Sequence, residues 1–214
     1  MFILQRLIDH TYLAADCTKQ QVDQLCQQAE QFGFAAVCVP PIYVARAVRN
    51  LQNSKVDVAT VIAFPFGYAE TPIKVQEIRR AIDEGADELD VVINLAAVKS
   101  GDWAYVRNDL SQVTTAARLK GKVIKLIIEI GSLTAGERDQ VVAICNEVHP
   151  TFVKTSTGTR EKATVEDVAY LRANLNPEIK IKASGGIRTP AAARALVAAG
   201  ADRLGTSAGP ALVQ

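Results

Sequence analysis

The stretch Gly85-Ala86-Asp87-Glu88-Leu89-Asp90-Val91-Val92-Ile93 is the one that decides the fold. A glycine able to end a helix in the left-handed conformation is followed by a two-residue joint and then by an apolar run of strand length. The same phrase returns at Gly200-Ala201-Asp202-Arg203-Leu204 and, more loosely, at Gly33-Phe34-Ala35. A helix-stop glycine feeding a short joint and then a strand is the signature of a repeated strand–helix unit.

Working outward, seven more apolar runs read as strands: around Leu7-Ile8-Asp9, Ala35 to Val39, Val56 to Ala63, Val123 to Ile130, Phe152 to Lys154, Ile179 to Lys182, and Arg203-Leu204. With Glu88 to Ile93 they make eight. Stretches with polar residues at helical spacing separate them: Thr18 to Gln31, Tyr43 to Leu51, Thr71 to Glu84, Trp103 to Leu119, Ala135 to Val148, Val165 to Asn174 and Pro190 to Ala199. Ser207 to Val213 reads as one short extra helix. Runs rich in Val and Ile, without strict alternation, are those of parallel strands covered on both faces. Eight such units predict a (β/α)8 TIM barrel as a single domain over residues 1–214, with an open doubly wound sheet as the alternative.

The composition agrees. Of 214 residues, 49% are hydrophobic and 22% charged, as in ordinary globular proteins. The formal net charge is +1, with Lys and Arg scattered, so nothing points to a nucleic-acid or membrane partner. Cys17, Cys26, Cys38 and Cys145 form no Cys-x-x-Cys pair, and neither His10 nor His149 stands at metal-ligand spacing from them. That pattern suits a reducing cytoplasm rather than a disulfide framework. The segment Met1 to Arg6 turns polar too soon for a signal peptide.

In a barrel, chemistry gathers where strands end. Three lysines lie in or at the end of apolar runs, Lys125, Lys154 and Lys182, beside the carboxylates Asp90 and Glu129. Charged groups resist burial unless paired, so the cluster points either inward to a site or, in the plainer reading, to lysines snorkelling between helices. Lys180 shares a face with Lys182, and either could point inward. An imine-forming lysine must be neutral, although its ordinary pKa is about 10.4; burial and a second cation both lower it. Lys154 with Lys182 nearby meets that need, and Asp90 could relay protons. Such a scheme needs neither metal nor cofactor. Ser184-Gly185-Gly186 and Gly205-Thr206-Ser207 follow the last two strands, where barrels commonly bind a phosphate, and Thr155 to Thr159 make a third small-residue loop. Trp103, Phe64 and Phe66 read as core or rim, His149 as structural.

These motifs resemble the deoxyribose-phosphate aldolases. The matching segments are Phe152-Val153-Lys154-Thr155-Ser156-Thr157-Gly158, Glu88 to Asn94, Ile181-Lys182-Ala183-Ser184-Gly185-Gly186-Ile187-Arg188-Thr189, Asp9-His10-Thr11, Val37 to Pro40, Val61 to Pro65, and Leu204-Gly205-Thr206-Ser207. They run in order from residue 9 to residue 209. The resemblance implies reversible cleavage of 2-deoxy-D-ribose 5-phosphate to glyceraldehyde 3-phosphate and acetaldehyde in a homodimer or higher homo-oligomer. By it, Lys154 forms the imine, Lys182 perturbs its pKa, and Asp90 with an ordered water shuttles protons. It also implies that Thr157, Gly158, Gly185, Gly186, Gly205 and Ser207 shape the sugar and phosphate site. Thr11 and Cys38 would line the pocket, and Lys125 would pair with Asp90 or the substrate. Ala14-Ala15 and Ala208 depart from the family's usual Lys-Pro pair and second serine, and Gln214 ends the chain before the tyrosine-bearing tail some members carry. Two rival readings are a flavin- or phosphosugar-binding barrel and a catalytically silent binding module.

Overall fold

The computed structural model describes residues 4–214; residues 1–3 of the segment read above as no signal peptide lie outside it. Eight parallel strands close a barrel in sequence order: β1 (Ile8–Thr11), β2 (Ala36–Val39), β3 (Asp57–Ile62), β4 (Glu88–Val92), β5 (Val123–Ile127), β6 (Phe152–Lys154), β7 (Lys180–Ser184) and β8 (Arg203–Thr206). β8 returns to pair with β1, Asp9 opposite Gly205. This rules out the open doubly wound sheet. The surrounding helices are α1 (Lys19–Phe32), α2 (Val44–Asn50), α3 (Thr71–Asp83), α4 (Leu95–Lys99), α5 (Trp103–Arg118), α6 (Ala135–Val148), α7 (Val165–Asn174), α8 (Pro190–Ala198) and α9 (Gly209–Val213).

Local chemistry explains the boundaries. Thr18 and Thr134 open α1 and α6 with capping boxes, closed by Gln21 and Glu137. Gly33, at φ 67°, stops α1. The two Gly-Ala-Asp phrases do the same job twice. Gly85 and Gly200 take φ of 100° and 115°, and Asp87 and Asp202 then turn their carboxylates onto the neighbouring strand. Asp87 accepts from the Val58 amide at 3.1 Å and Asp202 from the Ile181 amide at 2.8 Å. The repeated phrase is therefore a brace that starts one strand against the next.

Some expectations need correction. β7 and β8 run on through Ser184 and Thr206, which the sequence places in the loops after them, because their backbones stay paired with the neighbouring strands. The fifth strand stops at Ile127 rather than Ile130, because Glu129 adopts φ 50° and breaks the ladder. The short helix α4 was unforeseen; its five residues are capped by the Asn94 side chain.

Register decides what faces inward. Side chains alternate along a strand, and the pairings Asp9–Ala36, Cys38–Ala59, Val61–Asp90, Asp90–Lys125, Lys125–Phe152 and Lys154–Lys182 run one layer after another around the barrel. β2 and β3 contribute small apolar groups, Cys38, Ala59 and Val61, which form their own cluster. The other strands contribute charge. The large aliphatic core lies outside, between strands and helices.

Candidate active site

All three strand lysines point inward. Lys125 and Lys182 are fully buried and Lys154 is 2% exposed, so the snorkelling reading fails. Such burial requires partners, and the barrel supplies them. Asp90 receives Lys125 on Oδ1 at 2.8 Å and both Lys154 and Lys182 on Oδ2 at 2.7 Å. Lys182 also donates to Asp9, and Lys125 to Glu88. Arg203 closes the floor, bonding Asp9 at 2.6 Å and Glu88 at 3.3 Å over the Phe152 ring. Lys180, on the same strand face as Lys182, stays exposed at the lower rim above that ring.

The buried network thus sets three carboxylates, Asp9, Glu88 and Asp90, against four cations, Lys125, Lys154, Lys182 and Arg203. Its charge balances when one cation is neutral. Burial pushes the Lys154 pKa below the usual lysine value, and the Lys182 charge adds to this against the pull of Asp90. Burial acts on Lys182 and Lys125 as well. Asp9 and Asp90 outweigh it at Lys182, and Asp90, Glu88 and Asp9 at Lys125, so both titrate above the usual value. Burial opposes ionisation of Asp90, yet Lys125, Lys154 and Lys182 together hold it well below the usual carboxylate range. The one amine driven toward neutrality is also the one that reaches the cavity.

That cavity, of about 370 Å³, opens at the C-terminal mouth of the barrel. Lys154 lies at its base, and Thr11, Thr157, Gly158, Gly185, Gly186, Gly205 and Ser207 all line it. Asp90, Lys182 and Lys125 sit beneath and off its lining, as does Cys38, whose thiol burial pushes up to about 11. Arg188, Ser184, Phe64 and Ala14 complete much of the wall. Phe66, by contrast, stacks on Tyr68 and is half exposed.

Several residues were not singled out from sequence. Asp9, Glu88 and Arg203 belong to the ion network, and only the register aims them inward; their signal was a charge beside an apolar run. Glu129 corrects an expectation in the other direction. It is fully buried but stands outside the network and accepts from the Thr157 hydroxyl at 2.7 Å and the Thr157 amide at 3.3 Å. It buttresses the loop after β6. Thr155 ties that loop to β7, accepting from the Ser184 amide at 3.1 Å. Two glycines of the cavity wall have no room for a side chain. A Cβ on Gly205 would lie 2.3 Å from the Ser184 hydroxyl and 3.1 Å from Lys182 Cε, and one on Gly185, at φ 102°, would strike the Glu161 carbonyl at 2.6 Å. Among the described residues no group of three or more His, Cys, Asp or Glu is arranged to hold a metal, and no helix is long and apolar enough to cross a membrane.

A barrel that buries an amine of lowered pKa at the foot of an open cavity is the framework of a lysine-dependent carbonyl enzyme, and the comparisons narrow that class to an aldolase, a carbon–carbon lyase. A family model described as DeoC/LacD family aldolase matches residues 3–214, and the chain belongs to that family. It is similar to the deoxyribose-phosphate aldolase of Thermococcus gammatolerans, at 46% identity over 214 residues, covering 99% of this chain and 95% of that one. A second relative of that name, from Desulfitobacterium hafniense, is 46% identical over 207 residues, covering 96% and 95%. The tetrameric deoxyribose phosphate aldolase from Aeropyrum pernix superposes with a TM-score of 0.92 at 31% identity, covering 98% of this chain and 89% of its own.

Proposed function

We propose that this aldolase cleaves 2-deoxy-D-ribose 5-phosphate reversibly to D-glyceraldehyde 3-phosphate and acetaldehyde, through an imine on Lys154. The observation that carries the reading is the position of Lys154: its amine is at the cavity base, 2.7 Å from Asp90 Oδ2, and is depressed in pKa. The neutral amine adds to the substrate aldehyde at C1, and loss of water leaves a protonated imine. Removal of the C3 hydroxyl proton lets the C2–C3 bond break. Its electron pair flows into the imine to give an enamine, and C3 leaves as the aldehyde of glyceraldehyde 3-phosphate. Protonation of the enamine at C2 and hydrolysis release acetaldehyde and regenerate Lys154. Asp90, whose Oδ2 accepts from both Lys154 and Lys182, and Lys182 itself hold the protons these steps move.

The phosphate belongs at the other end of the cavity. Gly158, Gly185 and Gly186 offer backbone without side chains there, with Ser207 and Arg188 beside them. The bare Cα of Gly205 makes room for the Ser184 side chain above Lys182. Thr11 lines the wall at the end of β1, beside β8. Thr157 shapes the site through its backbone, since Glu129 and Thr159 occupy its hydroxyl. Lys125 and Cys38 act from beneath, Lys125 as the fixed counter-cation of Asp90. In this reading the enzyme works in the cytoplasm as a homo-oligomer, consistent with the tetrameric relative. Lys154→Ala is expected to lower kcat/KM for deoxyribose 5-phosphate cleavage by roughly 10³-fold or more while the circular dichroism stays unchanged. Release of glyceraldehyde 3-phosphate followed by a coupled dehydrogenase is the measurement, and near-normal turnover in the variant would refute the mechanism.

A further inference from the structure

One polar group on the cavity wall is buried without a partner. Ser184 is 4% exposed, and its hydroxyl finds no hydrogen-bond partner among the described residues. Its neighbours show why the hydroxyl is left free. The Ser184 carbonyl is taken by Ser156 and its amide by Thr155, which fixes the backbone at the end of β7. Ser184 is opposite Gly205 in the ladder, and its Oγ lies in the space a Cβ on that glycine would need. The barrel therefore gives up a side chain on β8 and fills that place with a hydroxyl. A buried hydroxyl left unpaired destabilises the fold, so a group that satisfies it when bound recovers that cost.

Position says which group. Ser184 shares the inward face of β7 with Lys182, one layer higher, and Lys182 meets Asp90 on the oxygen that also holds Lys154. One residue on begins the Gly185-Gly186 turn, at φ 102° and 73°. Ser184 is therefore between the reacting amine and the phosphate end. Resting on the aldolase reading, we infer that Ser184 is a specificity-determining residue whose hydroxyl binds the C4 hydroxyl of the substrate, the one between the bond that breaks and the phosphorylated carbon. That hydroxyl is the only polar group of the glyceraldehyde 3-phosphate half that lies between its aldehyde and its phosphate. A site that hydrogen-bonds a hydroxyl discriminates against the analogue lacking it.

The test compares two acceptors for acetaldehyde, glyceraldehyde 3-phosphate and 3-phosphooxypropanal, which lacks the hydroxyl, in wild-type enzyme and Ser184→Ala. The expected result is that Ser184→Ala reduces the preference for the hydroxylated acceptor about 3- to 10-fold in kcat/KM, leaving the deoxy acceptor nearly unchanged. Exchange of acetaldehyde methyl protons in D₂O, which needs imine formation but no acceptor, is expected at the wild-type rate in the variant. An equal loss on both acceptors, loss of exchange in the variant, or no change in preference would overturn the assignment. Failure of the wild-type enzyme itself to exchange acetaldehyde protons would instead refute the imine reading on which it rests.

Discussion

Lys154 differs from its two buried neighbours by what surrounds each amine rather than by depth. Lys125 has two carboxylates within 2.8 Å and a third at 3.5 Å; Lys182 has Asp9 and Asp90; Lys154 has half of one oxygen of Asp90. The amine with the least carboxylate is the one left closest to neutral. Lys182→Met would remove a facing cation and leave Asp90 Oδ2 to Lys154 alone, raising the Lys154 pKa. The acid limb of the kcat/KM profile should therefore move to higher pH, because a higher pKa means the neutral amine appears later as pH rises. An unmoved limb, in a variant shown to be folded, would mean that burial alone sets the titration. The sequence told much of this: three lysines and Asp90 interrupting apolar runs are legible as a cluster. Asp9, Glu88 and Arg203 were not, because a charge at a strand's start looks the same whether it faces solvent or the barrel axis. Only closure of β8 on β1 brings Arg203 to Asp9.

Among the elements, the strand ends and their glycines separate scaffold from site. Gly85→Ala would place a Cβ 3.0 Å from Val48 at φ 100°. It should cost about 1–2 kcal/mol of stability with kcat intact, since it touches only the joint before β4. Gly205→Ala would instead drive a Cβ into the Ser184 hydroxyl and against Lys182. Overpacking of that kind costs about 1–3 kcal/mol, and here it should lower kcat/KM more than it lowers stability. Chemical denaturation alongside steady-state kinetics separates the two outcomes; equal losses of activity in both variants would contradict the division. The repeat of Gly-Ala-Asp was readable as punctuation, but its second function was not. That Asp87 and Asp202 cap the neighbouring strand depends on a contact with residues 29 and 21 positions away. Glu129 shows the converse limit. Flanked by Ile128 and Ile130 it reads as strand, yet its bonds to Thr157 hold it in a left-handed turn.

At the scale of the whole molecule, the interior is an ion network wrapped in an aliphatic shell, and its pH response follows from the shifts. Asp90 and Asp9 titrate below the usual carboxylate value, so their contribution is present above about pH 4 and is lost as pH falls through the folded-state values. Lys125 and Lys182 titrate above the usual lysine value, so theirs is present below about pH 10.4 and is lost above it. Lys154 has the opposite sign: a lowered amine pKa weakens the fold at neutral pH, where the unfolded chain takes up the proton more readily. Lys154→Met should balance three carboxylates with three cations and raise Tm, by roughly 2–4 °C for each kcal/mol recovered, while abolishing turnover. A fall in Tm on scanning calorimetry would show that the network depends on the charge of Lys154.

In the proposed reaction Lys154, alone of the three buried lysines, becomes covalently bound to substrate. Borohydride reduction in the presence of deoxyribose 5-phosphate or acetaldehyde, followed by digestion and mass mapping, reads it directly. One stable adduct is expected, on the peptide that carries Lys154, with Lys125 and Lys182 unmodified. An adduct on Lys182 instead, or none from folded protein across a range of pH, would contradict it.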